Sequence, residues 1–515
     1  MQSQFSRRSF LAGSASLAGA MIPGIASSKT VSSTMPDKWD KTFDVVVFGS
    51  GGAGMHAAIQ ASDLGGSVVI CDKSKSPFHS ATCMNAGVFT AYNSHLQREK
   101  NVRDSIEQVM NDIISYGNYY SNPDIVRTFA QYSGQTFDWM AAHGLKANDL
   151  EAWAGHTNLR AVRQRSISGR DYIEVLDGEI KKRPIEVHRQ CELRRLFYDR
   201  SLNRVVGAEV AEKGKTFTIA ARRGVVLATG GIMGTPESAD KWLPSLRKKG
   251  VVVSCSANDG NAMEIAVRDV GVPLTHMQFC ASYPTGIVVN GRNGNVCRFF
   301  FLVNCGALLV NKLGKRYVSE QKGVVSITPH LLQQPDGTHW VLMDDGVWQE
   351  AMKRYPTEHQ IFGWTKKRVE DEFSKNKVFF RADTLEECAE AAGVDPVGLA
   401  EQVKLWNEAV ESKKDLQFGR TLFTGKLEKG PWRMLRLNTW NIISCGGFRV
   451  NAEMQVLGYQ DQPVGGLWAA GETVGAVHGN CYLGGDANGF AQTSGFLVGH
   501  LVMGDRSLKP APETI

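Results

Sequence analysis

Hydrophobic and polar positions along the chain change rhythm at definite points. Residues 43–48, FDVVVF, form an apolar, β-branched run of the kind that makes a strand buried on both faces. A glycine turn follows, and Ala57, Ala58, Ala61 and Leu64 then recur at helical spacing, giving one close-packing face. Ser67 to Cys71 is a second apolar run, closed by Asp72. Between Asn101 and Gly144 the period predicts two helices, VRDSIEQVMNDIISYG and PDIVRTFAQYSGQTFDWMAAHG, the second opened by Pro123. Pro184 to Gly231 alternates, which predicts a small antiparallel sheet and then a separate buried strand ending in ATGG. From 281 to 440 the texture shifts to longer polar helices such as TLEECAEAA and PVGLAEQVKLWNEAVES. Strand patterns return at GGFRVNAEMQVLG and GGLWAAGETVG, and an Ala/Gly-rich helix follows. This order predicts an α/β fold in which one domain, 41–280 and 441–515, is interrupted by an inserted α+β domain at 281–440.

Composition narrows the class. The 515 residues are enough for a large core, and 53 glycines point to many tight turns or to backbone packed against a ligand. A formal charge of +6 over this length, with no Lys/Arg block interleaved with aromatics, argues against nucleic-acid binding. The ten cysteines make no CxxC, no CxxCH and no iron–sulfur run, so no metal or haem is expected and most thiols are expected to be small buried hydrophobes. Ahead of the first strand, SRRSFLAGSASLAGAMIPGIASS runs from the pair Arg7 and Arg8 through a weakly apolar stretch. It predicts a twin-arginine (Tat) export signal at 1–26, a linker at 27–40 and a periplasmic mature protein. No stretch reaches the roughly 18 consecutive apolar residues that span a bilayer, so an integral membrane protein is not expected.

The glycine turn carries the first chemistry. Gly49, Gly51 and Gly54 make GxGxxG between a strand and a helix, and Asp72 closes the second strand about 20 residues on, as dinucleotide binding requires. Glycines there let a pyrophosphate reach the helix N-terminus, and an aspartate accepts from an unphosphorylated ribose, which favours NAD or FAD over NADP. The expected fold of the interrupted domain is therefore Rossmann-like.

Four stretches, DVVVFGSGGAG, GVVLATGG, GALLVNKLGKRYVSE and GGLWAAGETVGAVHGN followed by LGG, resemble the flavoprotein family of fumarate reductase and succinate dehydrogenase, which also holds urocanate reductase and ketosteroid dehydrogenases. The resemblance covers nearly all of the chain after the signal. It implies FAD as cofactor, a capping domain at 281–440, and redox chemistry at a carbon–carbon bond. It also implies that Gly49, Ser50, Gly51, Gly52, Ala53 and Gly54 cradle the pyrophosphate, that Asp72 and Lys73 meet the adenosine ribose region, and that the backbone of Cys191 meets the adenine. Thr229, Gly230, Asp259 and Glu472 would line the rest, with Gly484, Gly485 and Asn488 at a helix start facing the flavin. His79 lies within one residue of the position where some relatives attach FAD covalently.

The chain departs from the family where dicarboxylate substrates are gripped. HPTG is replaced by Tyr283-Pro284-Thr285-Gly286, and Phe300 and Val303 stand for a Glu and an Arg. QKGVVS follows Glu320 where the proton-donating arginine is expected, Ile442 or Ile443 takes the place of a histidine, and Tyr482 that of the main carboxylate clamp. A site with phenols in place of cations suits a neutral, partly hydrophobic substrate better than a dicarboxylate. The expected function is an FAD oxidoreductase reducing an enone or aromatic acrylate, with Tyr482, Tyr283 or Lys322 supplying the proton. Electrons would come from a separate carrier, a cytochrome c or a membrane quinol system. The alternatives are a dehydrogenase running in reverse and a flavin-binding protein whose catalytic residues have decayed. His156, Arg160, Arg163 and Arg165 are further candidates for reaching the pocket.

Overall fold

The computed structural model describes residues 35–515 apart from 154, 165–167, 245–249, 253, 290–291, 323, 356–359, 362–363 and 376. The expected export signal and residue Arg165 lie outside the described residues. Strand β1 (Lys41–Phe48) runs into helix α1 (Gly52–Asp63) and then β2 (Val68–Asp72). Helices α2 (Ile106–Tyr116), α3 (Pro123–Ala142) and α4 (Arg170–Lys181) follow. Next come β3 (Ile185–Arg189), β4 (Cys191–Asp199), β5 (Arg204–Glu212) and β6 (Lys215–Leu227). The chain then leaves along β7 (Cys280–Val289), returns along β8 (Trp432–Ser444), and ends in β9 (Gln455–Leu457), β10 (Pro463–Ala469) and α5 (Asp486–Val502).

The first sheet has the order β9-β10-β5-β6-β1-β2-β3, with β4 paired to β5. Its centre is parallel: Val45 to Phe48 pair with Val68 to Cys71 on one side and with Gly224 to Leu227 on the other. Strand β6 corrects the expected division into an antiparallel sheet and a separate strand. One edge of this 13-residue strand pairs parallel with β1 from Ile219 to Leu227, while the other pairs antiparallel with β5 over Lys215–Ala220 and then parallel with β10 over Val225–Leu227. The polar interruption Arg222-Arg223, which reads as a break, sits exposed at a register shift in the β1 ladder, where the other edge of β6 passes from β5 to β10. Pro123 occupies the first turn of α3 and Asn122 caps it.

Two hydrophobic cores result. One draws its buried residues from 45–280 and 448–502, the other from 287–437. The second is built on a sheet in which β8 is the central strand, flanked by β7 and by Thr338–Met343, with Leu308–Val310 and Arg292–Val296 at the edges. Strands β7 and β8 are therefore the crossing between the cores: Cys280 belongs to the first and Ile287 to the second. Their ladder is broken twice, between Ala281 and Ser282 and between Tyr283 and Gly286. Pro284, which has no N–H to give, sits in the second break. Bulges re-aim side chains, and here they bracket Tyr283. All ten cysteines are free thiols, and nine are buried. No helix among the described residues is long and apolar enough to cross a membrane.

Candidate functional site

The turn between β1 and α1 is pressed against the end of β6. Gly49 has φ +97° and donates its N–H to the Cys71 carbonyl at 2.9 Å; a Cβ on it would run into the Ala228 carbonyl. A Cβ on Gly54 would in turn strike the Gly49 carbonyl, so neither position tolerates a side chain. Gly51 is different. A Cβ there would meet nothing nearer than Thr82 Oγ1 at 3.7 Å, which leaves an open face at the start of α1. Ala53 is buried beside it, and the Gly52 N–H donates to Thr82 Oγ1 at 3.1 Å.

Asp72 is more occupied than expected. Its Oδ2 accepts from the N–H and the hydroxyl of Ser50 at 2.6 and 2.5 Å, and its Oδ1 from the Ser74 N–H at 2.6 Å. Its carboxylate thus fastens the glycine turn to the end of β2, and of about four lone-pair directions only one is left for a ribose. Arg189 also donates to the Ser50 hydroxyl. Lys73 pairs with Asp259 at 2.6 Å, so these two candidates act on each other across the same rim. Cys191 is buried at the start of β4 with its thiol against that of Cys71.

Beyond β6, Thr229 and Gly230 bring the rim to Glu472. Gly230 has φ +77°, lies under Asn258, and accepts at its carbonyl from Thr473 Oγ1 at 3.3 Å. Glu472 accepts from Asn258 Nδ2 at 3.0 Å and from the N–H and hydroxyl of Ser444 at 3.0 and 3.1 Å. It is half-buried rather than a solvated turn acid, and burial pushes its carboxyl up to about 7 against the pull of those donors. Small residues, an open helix start and a held carboxylate along one rim fit a dinucleotide of the FAD type.

The far end of the rim is the start of α5. Gly485 (φ +95°) packs on Thr90, and Gly484 packs so tightly on the Trp153 indole that no Cβ fits. Asn488 spends its amide on the Val88 carbonyl at 3.0 Å, so it holds α5 in place with the group expected to face the cofactor. Tyr482 and Tyr283 come together, ring centroids 5.9 Å apart and planes at 73°. His478 packs on Tyr482 at 6.0 Å. Burial pushes the Tyr482 hydroxyl up to about 12, raises Tyr283 as well, and lowers His478 to about 4, so at neutral pH all three are uncharged. Tyr116, at the end of α2, is a third phenol, raised chiefly by burial. Nothing in the sequence near it signals this; a helix end brings it in.

Other candidates do not join this group. Lys322 is exposed, in a turn behind Glu320, and no described contact links it to the tyrosines. Arg160 is wholly buried in a bidentate pair with Asp104 (2.8 and 2.6 Å) and also bonds Asp112, which makes it neither a pocket cation nor part of a solvated loop. Arg163 pairs with Glu151 at 2.9 Å. His156 approaches the Gly484 carbonyl at 2.9 Å through Nε2. His79 is exposed and meets Ser256 Oγ at 3.0 Å. Val303 is buried in the second core, while Phe300 is exposed.

Residues 44–487 match the model of the FAD binding domain. The chain is 28% identical over 473 residues to the NADH:fumarate oxidoreductase of Klebsiella pneumoniae (strain 342), covering 90% of this chain and 48% of that one. It is 29% identical to a fumarate reductase (cytochrome) of Shewanella frigidimarina, covering 89% and 76%. With the acrylate reductase flavoprotein subunit of Shewanella woodyi (strain ATCC 51908 / MS32) it shares 25% identity over 93% of this chain and 94% of that one. Thus the chain spans about half the length of the Klebsiella relative. Among solved structures it superposes on the open conformation of a flavocytochrome c3 fumarate reductase with a TM-score of 0.75, at 26% identity over 90% of this chain and 79% of that one. It superposes equally, TM-score 0.75 at 19% identity over 90% and 100%, on 3-ketosteroid delta1-dehydrogenase from Sterolibacterium denitrificans. With its glycine turn, its held acid and this match over most of its length, the chain belongs to the FAD-binding flavoprotein family of the fumarate reductases, and FAD is its cofactor.

Proposed function

We propose that the protein is an exported FAD-dependent oxidoreductase that reduces a carbon–carbon double bond conjugated to a carbonyl or similar electron-withdrawing group, in a substrate that is not a dicarboxylate. The observation that carries the reading is the pair Tyr283 and Tyr482 beside the start of α5. Bound FAD supplies a hydride for the alkene carbon remote from the withdrawing group. The protein's share is to hold the substrate and to supply a proton at the neighbouring carbon or carbonyl oxygen. A buried, un-ionised phenol suits that task because it donates without bringing charge into an apolar site. Tyr482 is the donor in this reading, with Tyr283 supporting it by ring contact. Of the described candidates, His478 is neutral, Arg160 is consumed by two aspartates, Arg163 is paired with Glu151 and Lys322 is exposed, so none of these four is free to grip two carboxylates.

Gly49 to Gly54, Glu472 and the start of α5 are the residues that would hold the cofactor, and Gly51 is where its phosphates would approach most closely. Electrons are assigned to a separate carrier, a cytochrome c or a membrane quinol system, and the site of action to the periplasm through the Arg7-Arg8 signal. Changing both arginines to lysine would then leave the protein inside the cell. The reading is tested by reducing the FAD-loaded protein anaerobically with dithionite and mixing it with enones, acrylates, aromatic acrylates and fumarate. Reoxidation by a conjugated monocarbonyl compound and not by fumarate is expected. Reoxidation by fumarate faster than by any of the others would overturn it, and reoxidation by none would favour a flavin-binding protein without this activity.

A further inference from the structure

Asp486 is the first residue of α5, four residues beyond Tyr482, and has no exposed surface. Neither of its carboxyl oxygens makes a well-formed hydrogen bond, although the Thr90 hydroxyl is near enough to favour its ionised form. The Thr90 hydroxyl beside it is turned to the Gly484 carbonyl at 3.4 Å. A carboxylate left this way would be costly, and a group so placed holds a proton instead. The charged groups around it are few. Arg160 on one side favours ionisation and Asp112 at the base of α2 opposes it, and these two are already bonded to each other. On its other side its charge is felt by Tyr482 and by Tyr116. Its own helix adds no second acid in the first turn.

Resting on the function proposed above, we propose that Asp486 is a relay acid: after Tyr482 has given its proton to the substrate, Asp486 returns one to the phenolate and is itself refilled from solvent. The balance closes. The phenol O–H breaks as the substrate C–H or O–H forms, the carboxyl O–H breaks as the phenol O–H is restored, and one solvent proton regenerates the acid. The relay places the proton supply on the first core, at the start of α5. It uses nothing from the second core, where the buried Val303 offers no acid.

The test compares wild type, Asp486→Asn and Asp486→Glu, all FAD-loaded, with the alkene that reoxidises the wild type best. The first turnover of pre-reduced enzyme draws on the proton already on Tyr482, whereas steady-state turnover needs the refill. Asp486→Asn should lower the ratio of steady-state to first-turnover rate at least about tenfold, and Asp486→Glu should restore most of it. A ratio unchanged in Asp486→Asn overturns the relay. Infrared spectra give a second readout that needs no turnover: wild type should show the carbonyl stretch of an un-ionised carboxylic acid that disappears as pH rises through about 8 and is missing from Asp486→Asn, which separates it from the Glu472 carboxyl at about 7. Its absence at neutral pH also overturns the relay. Failure of the functional reading looks different, because wild type itself would then reduce no alkene.

Discussion

At the scale of single residues, neutrality sets the character of this site. Tyr482→Phe removes the hydroxyl and leaves the ring contact with Tyr283, so FAD content should hold while alkene reduction falls about 10²-fold or more, read by steady-state assay against flavin absorbance. Glu472 and Asp486 share a different property: both bind a proton more tightly folded than unfolded, at about 7 and about 8 against 4.5 and 3.8. The stability tied to those protons is complete below about pH 4 and is lost as pH rises through the folded values. Denaturant unfolding from about pH 5 to about pH 9 should therefore show declining stability, and Asp486→Asn should flatten that decline and be the more stable protein at the alkaline end. Arg160 works in the opposite sense. Arg160→Met strands two buried aspartates, and the same unfolding measurement should show a loss of about 3–5 kcal/mol.

At the scale of elements, the glycine turn and one open position on a helix make a matched pair. Gly54→Ala forces a Cβ into the Gly49 carbonyl, so the purified protein should carry little or no flavin by absorbance. Gly178→Ala in α4 meets nothing within 4 Å and should raise stability by about 0.5–1 kcal/mol through helix propensity, read by thermal unfolding. The contrast also explains what the sequence made legible. β1, α1 and β2 could be read because each signal is local: an apolar run, a glycine turn, a helical period. Tyr482 could be read because it stands inside a recognisable glycine stretch. The continuity of β6 could not, because two exposed arginines look like a loop and only the neighbouring strands make them part of a ladder. Arg160 misled for the same reason: its partners lie 48 and 56 residues away, on and just ahead of α2. Asp72 and Asn488 were found as positions, but which of their hydrogen bonds are already used is a matter of three-dimensional neighbours.

At the scale of the whole molecule, two cores share one chain but not one source of stability. The rim of candidate FAD contacts lies on the first core, apart from Ser444 at the end of β8. Removing FAD should therefore raise hydrogen exchange first in β1, β2 and α5, while Thr338–Met343 and the Trp432–Leu437 part of β8 keep the protection of their own buried cluster. Uniform loss across both cores would mean that they unfold as one unit.

The crossing at β7 and β8 has a consequence for how the molecule can work. A tilt of one core over the other would twist those two strands, like a wrist turning, together with Gly250–Val252, which pairs with β8 over Thr439–Asn441. Tyr283 rides on the wrist, between two breaks in its ladder, and Tyr482 stays with the palm. The posture of the molecule then sets how the two phenols meet. A change in the angle between the cores would therefore change the distance between the two hydroxyls without moving either tyrosine within its own core.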